Sequence, residues 1–150
     1  MKHLLLKLTF LAAVAFIPIQ LLADEVKMVA INGGDTMKYD VTAIDAVAGQ
    51  KITLTLTNAG KLPKEAMAHN FVLLKAGTDV SAFAAAAISE AANGYIPKTQ
   101  EDKILVRTQL LGPGESETIS FLAPTTGTYD FICTFPGHAL TGMRGVLTVK

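Results

Sequence analysis

Four residues of this chain have side chains soft enough, and spaced closely enough, to hold a metal ion together. Cys133, His138 and Met143 fall in one stretch, Cys133-Thr-Phe-Pro-Gly-His138-Ala-Leu-Thr-Gly-Met143, and His69 stands upstream beside an apolar run. Singly, each has an ordinary structural use: a free Cys behaves as a small buried hydrophobe, and Met fills gaps in cores. Together they point elsewhere. The chain has one Cys and three His, and two of those His belong to this set. Thiolate and thioether are soft donors that favour copper(I) and tolerate copper(II). Two imidazoles and a thiolate in a trigonal arrangement, with Met as a weak axial donor, make a blue-copper electron-transfer site. Zinc accepts two His and one Cys, but a structural zinc site takes four strong N or S ligands, and a thioether is not one. An iron–sulfur cluster needs several cysteines and is excluded. The expected cofactor is one copper ion, Cu(I)/Cu(II), with His69, Cys133, His138 and the weak axial Met143 as metal ligands.

Such a set needs a stiff scaffold, because the two copper states prefer different coordination and a rigid frame imposes one arrangement on both. The sequence offers strands. Lys51–Asn58 (KITLTLTN) puts Ile52, Leu54 and Leu56 on one face and threonines on the other, the two-residue alternation of a half-buried strand. Val26–Ile31, Asn70–Leu74, Lys103–Gln109, Glu115–Leu122, Thr128–Cys133 and Gly145–Val149 read likewise, bounded by turn signals such as Asn32-Gly33-Gly34, Gly112-Pro113-Gly114 and Pro124–Gly127. Val80, Phe83, Ala84, Ala87, Ile88 and Ala91 recur at helical spacing, so one α-helix is expected around residues 80–92. Thr78 or Asp79 can cap it, and its stripe of small residues places it outside the strands. The expected fold is an all-β Greek-key sandwich with that single helix inserted. Cys133 lies in phase with Phe131 and Tyr129 and so points inward; Pro136-Gly137 turns the chain, and a strand resumes after Met143. Around the ligands, backbone N–H groups near Asn70 and Phe135 are expected to face the Cys133 sulfur, and the Asn70 side chain to tie the His69 strand to the Cys133 loop, contacts of the kind that tune a metal site.

Residues 1–23 carry Lys2 and Lys7, an apolar run from Leu8 to Ile19, and Ala23 just before Asp24-Glu25. That is the layout of a secretory signal peptide, with cleavage expected after Ala23 and a domain over 24–150. The run is broken by Pro18 and Gln20 and falls short of the ~20 residues a membrane-spanning helix needs. Residues 24–150 keep 11 basic and 13 acidic residues, net −2, with no basic block to bind nucleic acid and no strong attraction to anionic membranes. An exported chain in an oxidising compartment, the periplasm or its equivalent, with a lone Cys cannot form an internal disulfide, which again suggests that the thiol has a chemical use.

Leu62-Pro63-Lys64-x-x-Met67-Ala68-His69-Asn70-Phe71-Val72-Leu73 resembles the first ligand region of the azurins, and Cys133–His138 followed by Met143-Arg-Gly-Val-Leu-Thr-Val-Lys150 resembles their closing ligand loop. The resemblance extends across nearly all of 24–150. It implies the cupredoxin Greek-key sandwich and a role carrying electrons between redox proteins. Four residues separate His138 from Met143, where azurins have three, a spacing similar to plastocyanins and auracyanins. Ala68 stands where azurins have a Gly whose carbonyl approaches copper, so that carbonyl is expected near the ion. Asn58 stands in place of a non-ligand His found in some azurins.

No charged residue occurs from Phe131 to Met143. The His138 ring edge is therefore expected to reach solvent through an apolar patch of Phe135, Pro136, Gly137, Ala139 and Leu140, joined by Leu62, Ala66 and Met67. A redox partner, a c-type cytochrome or a copper enzyme, would dock there briefly. An oxidase or nitrite reductase would need further histidines, which residues 24–150 lack. Two other functions remain open at this level: a copper delivery or storage protein, and a thiol enzyme using Cys133 with a His base.

Overall fold

The computed structural model describes residues 25–150, so the expected signal segment 1–23 and its cleavage site lie outside the described residues. The strands are β1 (Lys27–Gly34), β2 (Lys38–Tyr39), β3 (Ala43–Ala46), β4 (Lys51–Asn58), β5 (Val72–Leu74), β6 (Ile104–Arg107), β7 (Ser116–Leu122), β8 (Gly127–Ile132) and β9 (Arg144–Val149). Two short helices, α1 (Lys64–Met67) and α2 (Val80–Ala87), and 3-10 turns at Ala91–Asn93 and Lys98–Lys103 complete the set. One sheet runs β2-β1-β4-β7 and the other β3-β9-β8-β5-β6. Both are mixed, with β1 parallel to β4 and β3 parallel to β9. Sequence-distant neighbours of this kind follow from over-crossing connections, and the architecture is the expected Greek-key sandwich.

Alternation along β4 builds the interface between the sheets. Ile52, Leu54 and Leu56 are fully buried and meet Phe71, Leu73, Phe131, Leu147 and Val149 from the opposite sheet. Burial of each such side chain contributes roughly 1.5–3 kcal/mol. On the outer face of the first sheet the threonines of β4 pair with hydroxyls of β7: Thr53 with Ser120 at 3.0 Å, Thr55 with Thr118 at 2.8 Å and Thr57 with Ser116 at 2.9 Å. These are the cross-strand pairs that tie a sheet laterally.

The helix is shorter than its sequence stripe. Asp79 caps it, accepting from the Ser81 and Ala82 N–H groups at 2.9 and 3.0 Å. Phe83, Ala84 and Ala87 pack on Val72, Leu74 and Ile132 on the outer side of the second sheet. After Ala87 the bonding tightens to three-residue steps, with Glu90 N–H on the Ala87 carbonyl, and Gly94 at φ 62° ends the segment. Ile88 is consequently 51% exposed instead of continuing the buried face.

A second difference concerns β1. The sequence signals a turn at Asn32-Gly33-Gly34, but the strand continues through it. Parallel pairing with β4 runs to Gly33 opposite Asn58, and the Gly33 carbonyl accepts from Ala59 N–H at 2.8 Å. The chain reverses at Asp35–Met37 instead, with Met37 at φ 54°. The two short strands β2 and β3, two and four residues long and so too short to show a pattern of their own, follow this reversal.

Candidate metal centre

Loops at one end of the sandwich bring the donors together. Cys133 follows the last residue of β8, and the segment to Met143 is locked by its own backbone. The Cys133 N–H donates to the Met143 carbonyl at 3.0 Å, the Met143 N–H to the His138 carbonyl at 2.8 Å, and the His138 N–H to the Phe135 carbonyl at 3.1 Å. Gly137 at φ 84° and Gly142 at φ 100° take the left-handed conformations this winding demands. On the other side, His69 pairs with Leu111, its N–H donating at 3.0 Å and its carbonyl accepting at 2.8 Å. The buried Asn58 amide donates to the carbonyls of Met67 and Leu111 at 3.1 and 3.0 Å, fixing the approach to His69 from β4.

The ligating atoms of His69, Cys133 and His138 lie within 4.8 Å of one another. The Cys133 sulfur is 3.4 Å from His138 Nδ1 and 4.0 Å from His69 Nδ1. A small cation about 2.3 Å from sulfur and about 2.0 Å from each nitrogen, at trigonal angles, would require sulfur–nitrogen edges of about 3.7 Å, so the two sulfur–nitrogen distances fit one ion. The two imidazoles lie 5.1 Å apart between centroids. Met143 is fully buried behind them: a Cβ built on Gly33 would stand 2.6 Å from its Cε and 3.0 Å from His69 Cδ2. Gly33 is thus the bare wall against which both side chains rest. The Ala68 carbonyl lies 4.0 Å from the sulfur.

Electrostatics favours neutral donors. Burial, and then the neighbouring His69, push His138 down to about 4; burial also lowers His69 against weaker opposing pulls from the Gly34 backbone and Asp35. Both imidazoles therefore carry a free lone pair at neutral pH. Burial pushes the Cys133 thiol up to about 12, although the backbone N–H groups of Asn70 and Phe135 draw it the other way. An enzymic nucleophile needs an accessible thiol of lowered pKa. A fully buried thiol shifted upward suits a ligand that ionises only when a cation arrives. His69 Nε2 is the one side-chain N or O atom among the described residues that is buried without a hydrogen-bond partner, and it lies across the ring from the Nδ1 that faces the sulfur. The residues present fit a small soft cation.

Asn70 bridges the two ligand segments: its Nδ2 donates to Thr134 Oγ1, and its Oδ1 accepts from the Thr134 N–H, both at 2.8 Å. Two residues assigned from sequence to an exposed patch lie inside instead. Phe135 is 9% exposed, because Tyr95 from the inserted segment stands edge-on against it at 5.1 Å and His138 packs on it at 4.8 Å. Ala139, 3% exposed, joins the cluster under α2. His138, whose ring edge was expected to reach solvent, keeps only 2% of its surface exposed, with Phe135 at 4.8 Å and His69 at 5.1 Å against its ring. Leu62, Ala66, Gly137 and Leu140 are exposed, and Met67 and Pro136 are half-buried. Residues that sequence reading did not single out include Gly33, Tyr39 and Thr134. Thr134 lay inside the ligand loop, but nothing local marks the other two.

Residues 25–150 match the family described as copper binding proteins, plastocyanin/azurin family. Auracyanin-B of Chloroflexus aurantiacus is 36% identical over 116 residues, 77% of this chain and 48% of auracyanin-B, so the match spans about half the length of that relative. Azurin of Pseudomonas aeruginosa is 32% identical over 151 aligned positions, 98% of this chain and 100% of azurin. The crystal structure of dithionite-reduced auracyanin from the photosynthetic bacterium Roseiflexus castenholzii superposes with a TM-score of 0.73 at 38% identity, covering 83% of this chain and 97% of that one. The agreement extends from the first strand to the last, and the chain belongs to the plastocyanin/azurin family of copper-binding proteins, the cupredoxins.

Proposed function

We propose that the protein is an exported electron carrier that holds one copper ion through His69, Cys133, His138 and Met143, with the Ala68 carbonyl as a weak neighbour. When bound, copper supplies a one-electron couple between Cu(I) and Cu(II). The chain's contribution is constraint. The hydrogen bonds that join Cys133, His138 and Met143 through their own backbones, and His69 to Leu111, leave the donors little freedom to rearrange when charge changes. Burial of all four side chains excludes water. The N–H groups of Asn70 and Phe135 stabilise negative charge on sulfur. The observation that carries this reading is the convergence of two imidazole nitrogens and one sulfur within 4.8 Å in a closed pocket. Copper(II) added to the purified mature protein should give an intense blue thiolate-to-copper band, lost in Cys133→Ser. Bound copper without colour would overturn the reading.

Exposed Leu62, Ala66, Gly137 and Leu140, with half-buried Met67 and Pro136, belong to the two segments that carry His69 and His138. The His138 ring offers Nδ1 to the sulfur, so its Cδ2–Nε2 edge lies on the far side. The surface of those two segments is the docking face for a redox protein of the c-type cytochrome or copper-enzyme class, met in a brief encounter. Among the described residues no helix is long and apolar enough to cross a membrane. Export rests on the signal-like segment, and the N-terminal sequence of the secreted protein, expected to begin at Asp24, tests it.

A further inference from the structure

The hairpin joining β1 to β2 supplies no ligand, yet it touches both segments that do. Its strands register Gly33 against Tyr39 and Gly34 against Lys38. Its turn closes with the Met37 N–H on the Gly34 carbonyl at 3.0 Å and holds Met37 at φ 54°, a conformation an L side chain adopts only where its surroundings enforce it. Just past this turn, Lys38 Nζ donates to the Thr141 carbonyl, inside the segment between His138 and Met143. Gly142 leaves the room for that ammonium: a Cβ there would stand 2.6 Å from Nζ.

Tyr39, 4% exposed, donates its hydroxyl to the Asn70 carbonyl, one residue past His69. Its ring packs at 5.8 Å on Phe131 of β8, the strand that leads into Cys133. Asn70 is thereby held at every polar group it owns. Its N–H faces the Cys133 sulfur, its side chain is paired twice with Thr134, and its carbonyl is taken by Tyr39. A buried polar network satisfied at each member specifies one geometry.

We propose that Lys38 and Tyr39 are positioning residues for the copper centre. The β1–β2 hairpin clamps the His69–Asn70 segment and the His138–Met143 loop to one strand pair, and so fixes the distance between donors that come from opposite sides of the site. This rests on the copper reading above, and neither residue touches the ligating atoms. Losing one clamp bond frees one segment while leaving the sandwich core intact.

Tyr39→Phe keeps the ring and removes only the hydroxyl; Lys38→Met keeps the aliphatic stem and removes the ammonium. Amide hydrogen exchange on the metal-free protein reads the clamp without copper. Tyr39→Phe should speed exchange near Asn70, and Lys38→Met near Gly142 and Met143, each by about fivefold, the size of one net hydrogen bond, while Leu54 in the core stays at the wild-type rate. The copper-loaded variants should also shift in reduction potential and in the thiolate-to-copper band, which a merely structural role would not move. Wild-type exchange at the ligand segments together with an unchanged potential would overturn the proposal. So would acceleration spread equally to Leu54, which marks global destabilisation. A wild-type chain that takes up no copper would instead sink the functional reading, an outcome separate from these variant comparisons.

Discussion

Cys133 and His138 are displaced by burial in opposite senses, and the consequence is measurable without metal. Folded His138 stays neutral down to about pH 4, whereas in the unfolded chain it takes up a proton near the ordinary value of about 6.5. Between those values the unfolded state binds more protons. Stability is therefore fully present above about pH 6.5 and is lost as pH falls through about 4. The urea midpoint of the metal-free protein should decline over that window, and His138→Gln should flatten the decline. A wild-type midpoint constant down to about pH 4 would show that the ring is not held neutral. At this scale the sequence was most informative. Cys133, His138 and Met143 are legible because they sit within one short loop whose winding is fixed locally by Gly137 and Gly142. His69 is legible through its company and its chemistry. The burial of Phe135 and Ala139 was not, since it depends on Tyr95 and on α2, which reach them from the inserted segment.

Among the elements, β1 gives the sharpest lesson. Asn32-Gly33-Gly34 has the composition of a turn, and local propensity assigns it to one. Parallel pairing with β4 overrides that preference and delivers Gly33 to the back of the metal centre. Its glycine is required by packing, because the space of a side chain is taken by Met143 and His69. Gly33→Ala should displace the Met143 methyl and cost about 1–3 kcal/mol, the usual penalty for overpacking a filled core. Urea unfolding of the metal-free variant checks the cost, and the visible spectrum of the copper-loaded variant checks the displacement. A fully stable variant with the wild-type spectrum would mean that the wall yields. Strands β4, β7, β8 and β9 were readable because each carries its own alternation or apolar run. By contrast β2 and β3, two and four residues long, are defined by the neighbours they pair with.

For the whole molecule, the question is where a partner can settle. On the proposed docking face Leu62 is 44% exposed and Leu140 62%, and exposed apolar groups of this kind mark interaction sites. Leu140→Lys should slow electron exchange with a redox partner by roughly tenfold, the effect of spoiling one anchoring contact, while the copper spectrum stays at its wild-type form. Stopped-flow mixing with a c-type cytochrome measures the rate, and an unaltered rate would remove this surface from consideration. Ser120→Lys, on the outer flank of the first sheet, supplies the control. That flank has a consequence of its own. Each β4 threonine there is already paired with a hydroxyl of β7, so a colliding protein meets no charge among those six side chains and a single spare hydroxyl hydrogen in each pair. An encounter on that side finds few anchors, so under the proposed docking scheme the carrier keeps tumbling until its ligand-loop end meets the partner.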